Sequence, residues 1–148
     1  MSQLVKVFVY GTLLSGCRNH LVVEPFVISF ELGSVHGHLY DVGSYPALVI
    51  GGTDKVYGEW LTIKPEGLSG MDHLEGYKGE NDRGNYYDRV LVRDSEKNIE
   101  GFVYSWPSSR GCPNIPSGSW KEHINLVPTT REILPGSVEK ESPPVLNS

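Results

Sequence analysis

The amino-acid sequence predicts an α+β fold in which a closed or nearly closed β structure carries short helices at its edge. Six or seven short segments have strand-like composition, whereas only one segment has the length and the end residues of a clear helix. The 17 glycines and 10 prolines favour many turns and short strands over long helices. Closure of the sheet would remove the exposed strand edges that promote aggregation.

The length of 148 residues fits one domain with a substantial core. We predict that residues 1–125 form this domain. Residues 126–148, which are rich in Pro, Ser and Glu, are predicted to form an extended or poorly ordered tail.

The charge pattern and the apolar pattern limit the partners of the protein. The net charge is −5 and no Lys/Arg cluster is present, which argues against binding of nucleic acid. No apolar run reaches the roughly 18–20 residues that a membrane span needs, and the N-terminus lacks a secretory pattern. We therefore expect a cytoplasmic protein without a membrane partner, in which Cys17 and Cys112 are reduced thiols.

The first strand is predicted at residues 4–10, which are mostly apolar and β-branched. Gly11 follows directly and allows backbone angles and close approaches that a Cβ would prevent. Thr12 then offers a hydroxyl and an N–H group. Successive N–H groups at a strand end can bind an anion, although an ordinary turn without a ligand is the alternative.

The next strands are predicted from alternation of side-chain character. Residues 26–41 alternate with period two, which indicates a half-buried strand, or two strands with a bulge at Gly33. A short strand at residues 47–50, a turn at 51–54 and a strand at 56–63 follow.

The clear helix is predicted between Pro65 and Gly76, because proline suits a first turn and glycine suits a left-handed end. A polar loop follows at 78–85. The later elements are, in order, strands at 86–93 and 99–106, a loop at 107–118 and a short helix from Trp120 with a serine cap.

Glu75 is the main candidate for chemistry. It lies on the same helical stripe as Met71, so it can point inward rather than into solvent. Burial and the negative end of the helix dipole would both raise the pKa of an inward carboxyl there. A raised pKa suits a general acid or base working near neutral pH; a solvated glutamate at a frayed helix end is the alternative.

Other residues offer competing chemistry. His36 and His38 share a strand face and could bind a metal, but no carboxylate on the same face follows them. The alternative is that both are partly buried histidines without a metal. Cys17 has Arg18 and His20 nearby in sequence, which is the minimum that a reactive thiol needs. Arg89 follows Tyr87 at strand spacing, so both side chains could face one cavity, or Arg89 could form an ordinary cross-strand pair.

Taken together, the motifs resemble those of the γ-glutamylcyclotransferase-like family, and the early loop at residues 14–20 is similar to the branch that acts on γ-glutamyl amines. The resemblance covers about residues 5–120. It is carried, in chain order, by Val9-Tyr10-Gly11-Thr12-Leu13, Tyr45-Pro46-Ala47-Leu48-Val49, Leu74-Glu75-Gly76, Tyr87-Asp88-Arg89-Val90 and Gly101-Phe102-Val103-Tyr104.

The resemblance implies a small mixed β-barrel flanked by short helices and a reaction without a cofactor or a metal. The implied substrate is a small molecule with a γ-glutamyl group on an amine, which is cyclised to 5-oxoproline as the amine is released. Glu75 would be the catalytic acid and base. The implied substrate-binding residues are Tyr10, Gly11, Thr12, Leu13 and Tyr87, with Tyr86 as the alternative to Tyr87. A non-catalytic member of the same fold that binds a small ligand is the alternative function.

Overall fold

The computed structural model describes residues 3–17 and 19–124, which form a five-stranded sheet with short helices. The elements in chain order are β1 (Val5–Val9), α1 (His20–Val23), a 3₁₀ turn (Glu24–Phe26), β2 (Val27–Asp41), β3 (Pro46–Ile63), α2 (Glu66–Glu75), β4 (Asp88–Arg93), β5 (Glu100–Ser105) and α3 (residues 120–124). The predicted tail at 126–148 lies outside the described residues, so the domain boundary stays a prediction.

The sheet is mixed and has the strand order β2-β3-β1-β5-β4. Among the described strands, only the β1–β5 pair is parallel, and the other pairs are antiparallel. β1 is central because its side chains supply core on both faces: Val7 and Val9 pack in one buried cluster, and Phe8 and Tyr10 pack in the other. Since β1 and β5 are parallel, their carboxyl ends meet at the same edge of the sheet.

The structure confirms the α+β fold, but the predicted barrel is only a loose description because the sheet is not closed. Within the described residues, β2 and β4 are the two edges and do not pair as a ladder. The sheet curls enough for the turn after β4 to reach β2. The Ser34 N–H donates to Asp94 Oδ2 at 3.0 Å, and the Ser95 N–H donates to Ser34 O at 2.8 Å.

The single strand predicted within residues 26–41 is confirmed as β2, but the alternative with a bulge and the division of the next strand are wrong. Gly33 is not a bulge, because it pairs in register with Gly58; the irregularities lie between Val27 and Ser29 and between His36 and Gly37. The segments at 47–50 and 56–63 belong to one strand, β3. Residues 51–54 loop out of the ladder, since His36 pairs with Lys55 and the adjacent Gly37 pairs with Ile50.

The helix ends agree with the prediction. Pro65 precedes the first turn of α2, and Gly76 closes the helix with φ 70°, in the left-handed region. The buried residues of α2 are Gly67, Met71 and Glu75, which lie at four-residue spacing on one stripe. In α3, Ser119 Oγ accepts the Glu122 N–H at 3.1 Å, as expected of a serine cap. No helix in the described parts of the chain is long and apolar enough to cross a membrane.

Candidate active site

A small pocket lies where β1 ends against α2. It is lined by Phe8, Val9, Tyr10, Leu13, Glu75 and Tyr104. The structure thus brings together three of the predicted site residues, namely Tyr10, Leu13 and Glu75. Tyr104 is an addition from the neighbouring strand β5, whose carboxyl end meets that of β1.

Glu75 is a buried carboxyl group at the end of α2, with a relative exposure of 1%. The loop that follows fixes this helix end, because the Tyr87 N–H donates to Glu75 O at 3.2 Å and the Tyr86 N–H donates to Gly76 O at 2.8 Å. The helix packs closely because a Cβ on Gly67 would lie 2.8 Å from Phe26 Cβ. The predicted inward orientation of Glu75 is therefore confirmed, and the solvated alternative is not observed.

The pKa of Glu75 is raised well above its usual value of 4.5, first by burial and then by the negative charge of Asp72. Asp72 lies one turn earlier on α2. Its carboxylate accepts two hydrogen bonds from Arg89 Nη1, at 2.6 and 2.8 Å, and one from the Tyr104 hydroxyl at 2.6 Å. Asp72 is a functional candidate that the sequence analysis missed, and Tyr104 was named there only as a motif residue and not as a site residue.

Tyr10 contributes a wall of the pocket, and its hydroxyl is held by the sheet. That hydroxyl donates to Tyr104 O at 2.6 Å and accepts the Leu48 N–H at 3.3 Å. Burial, and secondly the charge of Glu75, raise the pKa of Tyr10, so its hydroxyl is neutral at physiological pH. Tyr10 thereby joins the ends of β1, β3 and β5 at the pocket.

The loop after β1 forms a compact turn. The Leu14 N–H donates to Gly11 O at 3.0 Å, and the Asn19 N–H donates to Thr12 O at 3.0 Å. The Asn19 side-chain amide also donates to Thr12 Oγ1 at 2.9 Å. Within the described residues, the structure shows no hydrogen bond from the amide N–H groups of Gly11 and Leu13. In this turn the carbonyl groups of Gly11 and Thr12 and the Thr12 hydroxyl act as hydrogen-bond acceptors.

The two neighbouring tyrosines face different environments, which answers the question of which one faces inward. Tyr87 has no exposed surface, and its hydroxyl donates to Pro46 O at 2.7 Å. Burial raises the pKa of Tyr87 first, and the proximity of Tyr10 and Glu75 raises it further. Tyr86 is half-buried, and its hydroxyl is hydrogen-bonded to that of Tyr45. Tyr87 is therefore the tyrosine on the side of Glu75.

Arg89 contacts Asp72 on α2 and two aromatic rings. Besides its ion pair with Asp72, its guanidinium lies 4.8 Å from the ring centroid of Tyr77 and 4.7 Å from that of Phe102. Its contacts support α2 from the side of β4, so Arg89 acts on the site through Asp72.

The contacts of the described residues do not support the alternative sites at the histidines and at Cys17. His38 Nδ1 lies 3.4 Å from Asp54, and no group of three His, Cys, Asp or Glu side chains in the described residues is arranged to hold a metal ion. Burial raises the pKa of Cys17, which disfavours the thiolate. His20 Nδ1 is hydrogen-bonded to Leu13 O, and Arg18 lies outside the described residues.

A buried carboxyl with a raised pKa beside a strand-end loop marks this pocket as a candidate site for proton transfer. The family described as Gamma-glutamyl cyclotransferase, AIG2-like, matches residues 7–122. The chain belongs to this family, as its motifs predicted.

Individual relatives agree with this assignment. The chain is 38% identical over 92 residues to Gamma-L-glutamyl-butirosin B gamma-glutamyl cyclotransferase of Niallia circulans; this match covers 62% of the chain and 58% of that protein. A Vibrio cholerae protein is 39% identical over 120 residues, which is 80% of this chain and 96% of its own length. The crystal structure of an AIG2-like protein from Mus musculus has a TM-score of 0.60 at 23% identity, over 77% of this chain and 87% of that chain, which shows a shared fold.

Proposed function

We propose that the protein is a γ-glutamylcyclotransferase that converts a γ-glutamyl group on an amine into 5-oxoproline and releases the amine. The observation that carries this proposal is Glu75, a carboxyl with 1% exposure and a raised pKa that lines the pocket at the end of β1. The family match supplies the substrate class.

In the proposed reaction, the substrate's own α-amine attacks its side-chain carbonyl carbon. A bond forms between the amine nitrogen and this carbon, and the bond from the carbon to the leaving nitrogen breaks. Glu75 accepts the proton that the attacking nitrogen loses and then donates it to the leaving nitrogen, so the protons balance. No atom changes its oxidation state. Its raised pKa suits both roles, because the carboxylate and carboxyl forms are then closer in free energy at neutral pH.

The rest of the pocket has to hold the substrate folded, because the attack is intramolecular. The amide groups of Gly11, Thr12 and Leu13 are proposed to bind the α-carboxylate of the substrate or the developing oxyanion. Tyr10 and Tyr87 are proposed to form the wall on either side of Glu75. Their hydroxyls donate to backbone carbonyls of Tyr104 and Pro46, which keeps both rings in place.

The test is release of 5-oxoproline by the wild type, Glu75→Gln and Glu66→Gln proteins. Glu66 is the matched control, since it is an exposed glutamate in the first turn of the same helix. The panel contains γ-glutamyl amino acids, γ-glutamyl-lysine, glutathione and γ-glutamyl-butirosin B, the last chosen from the name of the Niallia relative.

We expect Glu75→Gln to stay folded and to lose turnover by a factor of about 10² or more, while Glu66→Gln keeps the wild-type rate. Near-normal turnover in Glu75→Gln would refute the assignment of Glu75. A wild type that binds γ-glutamyl compounds but releases no 5-oxoproline from any of them would instead support a non-catalytic binding protein.

A further inference from the structure

Glu59 is a second buried carboxylate near the site, and the proposed reaction does not use it. It lies on β3, and its relative exposure is 3%. The carboxylate accepts two hydrogen bonds from one residue of the loop after β1: the Ser15 N–H at 2.9 Å and the Ser15 hydroxyl at 2.7 Å. Removing a charged carboxylate from water costs free energy even when it is hydrogen-bonded. The burial of Glu59 therefore needs an explanation.

The sheet register places this carboxylate at the base of the loop. Glu59 pairs with Val9, the last residue of β1, two positions before Gly11. The strands are close here because residue 58 is glycine: a Cβ at Gly58 would lie 2.1 Å from Val9 O. The Glu59 side chain therefore reaches from the start of the loop to its far end at Ser15.

The loop between these two points is the one proposed to bind the γ-glutamyl group. Its internal turn closes through the Leu14 N–H to Gly11 O bond of 3.0 Å, and Ser15 comes next in the chain. On the outer side, Lys121 Nζ lies 3.7 Å from Glu59 Oε2 and partly balances its charge. Both ends of the turn are thus fixed to β1 and β3.

We propose that Glu59 is a positioning residue of the site, which holds residues 11–15 in the conformation that binds the substrate. Its carboxylate fixes Ser15, and Ser15 holds the adjacent Leu14 where its N–H closes the turn on Gly11 O. The closed turn orients the amides of Gly11 and Leu13. This role rests on the proposed function, because it assumes that the loop binds a γ-glutamyl group.

The test compares Glu59→Gln, Ser15→Ala and the double variant with the wild type. Glu31→Gln and Ser29→Ala are the matched controls, as exposed residues on β2. The first readout is KM, because a smaller folded fraction lowers the apparent kcat but leaves KM unchanged. The second is hydrogen exchange of the amides at 11–17, which reports on the loop without any turnover.

We expect KM to rise about tenfold in each single variant, as for loss of a hydrogen bond to a charged group. The KM of the double variant should be no higher than that of the more impaired single variant, since both changes break the same contact. Exchange at 11–17 should become faster in all three, with the core strands and both controls unchanged.

Wild-type KM and wild-type exchange in folded Glu59→Gln and Ser15→Ala would refute the positioning role, as would a fall in kcat with KM unchanged. Failure of the proposed function is a separate outcome. In that case the wild type itself releases no 5-oxoproline, while faster exchange at 11–17 in the variants still supports Glu59 as the residue that orders the loop.

Discussion

Asp72 and Glu75 lie one helical turn apart on α2, and the negative charge of Asp72 raises the pKa of Glu75. Side chains three residues apart on a helix are neighbours, so their charges interact directly. Asp72 is itself fixed by Arg89 and by the Tyr104 hydroxyl. The proton affinity of Glu75 is therefore set by burial and by a neighbour whose own position depends on two further strands.

Asp72→Asn should shift the acid limb of the kcat/KM profile to lower pH. The substitution removes the charge that disfavours the Glu75 carboxylate, while the Asn oxygen can still accept the Tyr104 hydroxyl. Burial is the larger cause of the raised pKa of Glu75 and it remains, so the limb should move only part of the way toward the range of an exposed glutamate. The measurement is kcat/KM across the acid and neutral range. Asp54→Asn is the control, because Asp54 is an exposed aspartate in the 51–54 loop. An unmoved limb in folded Asp72→Asn would disprove the coupling.

Glu75→Gln should become more stable relative to the wild type as the pH rises. The pKa of Glu75 is raised in the folded state, so its contribution to folding is fully present below its usual pKa of 4.5 and is lost as the pH rises through the folded pKa. Thermal unfolding under mildly acidic and mildly alkaline conditions checks this prediction. We define the difference in Tm as variant minus wild type and expect it to be larger on the alkaline side. It should grow by roughly 2–8 °C for each kcal/mol by which the free energy of unfolding of the wild type falls. A difference that does not change with pH would contradict the raised pKa.

The features that the sequence predicted correctly depend on local chemistry. Pro65 and Gly76 act within one turn of the chain, so the ends of α2 follow directly from the sequence. The inward direction of Glu75 follows from its spacing from Met71 along the same helix. The family motifs correctly predicted the family, which no local pattern contains.

The features that the sequence did not reveal depend on distant contacts. Asp72 is separated from its partners Arg89 and Tyr104 by 17 and 32 residues, and no pattern within α2 points to them. The alternation in β2 suggests a bulge at Gly33, but the role of this glycine is close packing: a Cβ there would lie 2.6 Å from Trp60 Cδ1. The openness of the sheet likewise depends on how far the β2 and β4 edges approach, which is a property of the whole fold.

Tyr87→Phe should cost more stability than Tyr86→Phe. The Tyr87 hydroxyl is buried and donates to Pro46 O at 2.7 Å, so its removal leaves a buried carbonyl without that donor. We expect a cost of about 1–3 kcal/mol. Tyr86 is half-buried, and solvent can replace its bond to Tyr45, so its cost should be below about 1 kcal/mol. Urea unfolding of the two variants gives the comparison, and equal costs would argue against the inward position of Tyr87.

Glycine-to-alanine substitutions at positions 58 and 70 should have opposite effects on stability. At Gly58 the new Cβ would lie 2.1 Å from Val9 O, a backbone atom that can move only if β1 and β3 separate. We expect a loss of about 3 kcal/mol, at the upper end for overpacking. At Gly70, in the middle of α2, the new Cβ would meet Val22 Cγ1 at an ordinary contact distance of 3.7 Å.

Gly70→Ala should therefore stabilise the protein by about 0.5–1 kcal/mol through the higher helix propensity of alanine. Urea unfolding measures both free energies, and Gly70→Ala also controls for the substitution itself. If Gly58→Ala proved as stable as the wild type, the close approach of β3 to the end of β1 would be incorrect. The basis for placing Glu59 beneath the loop would then be lost as well, because that placement depends on the same pairing of Val9 with Glu59.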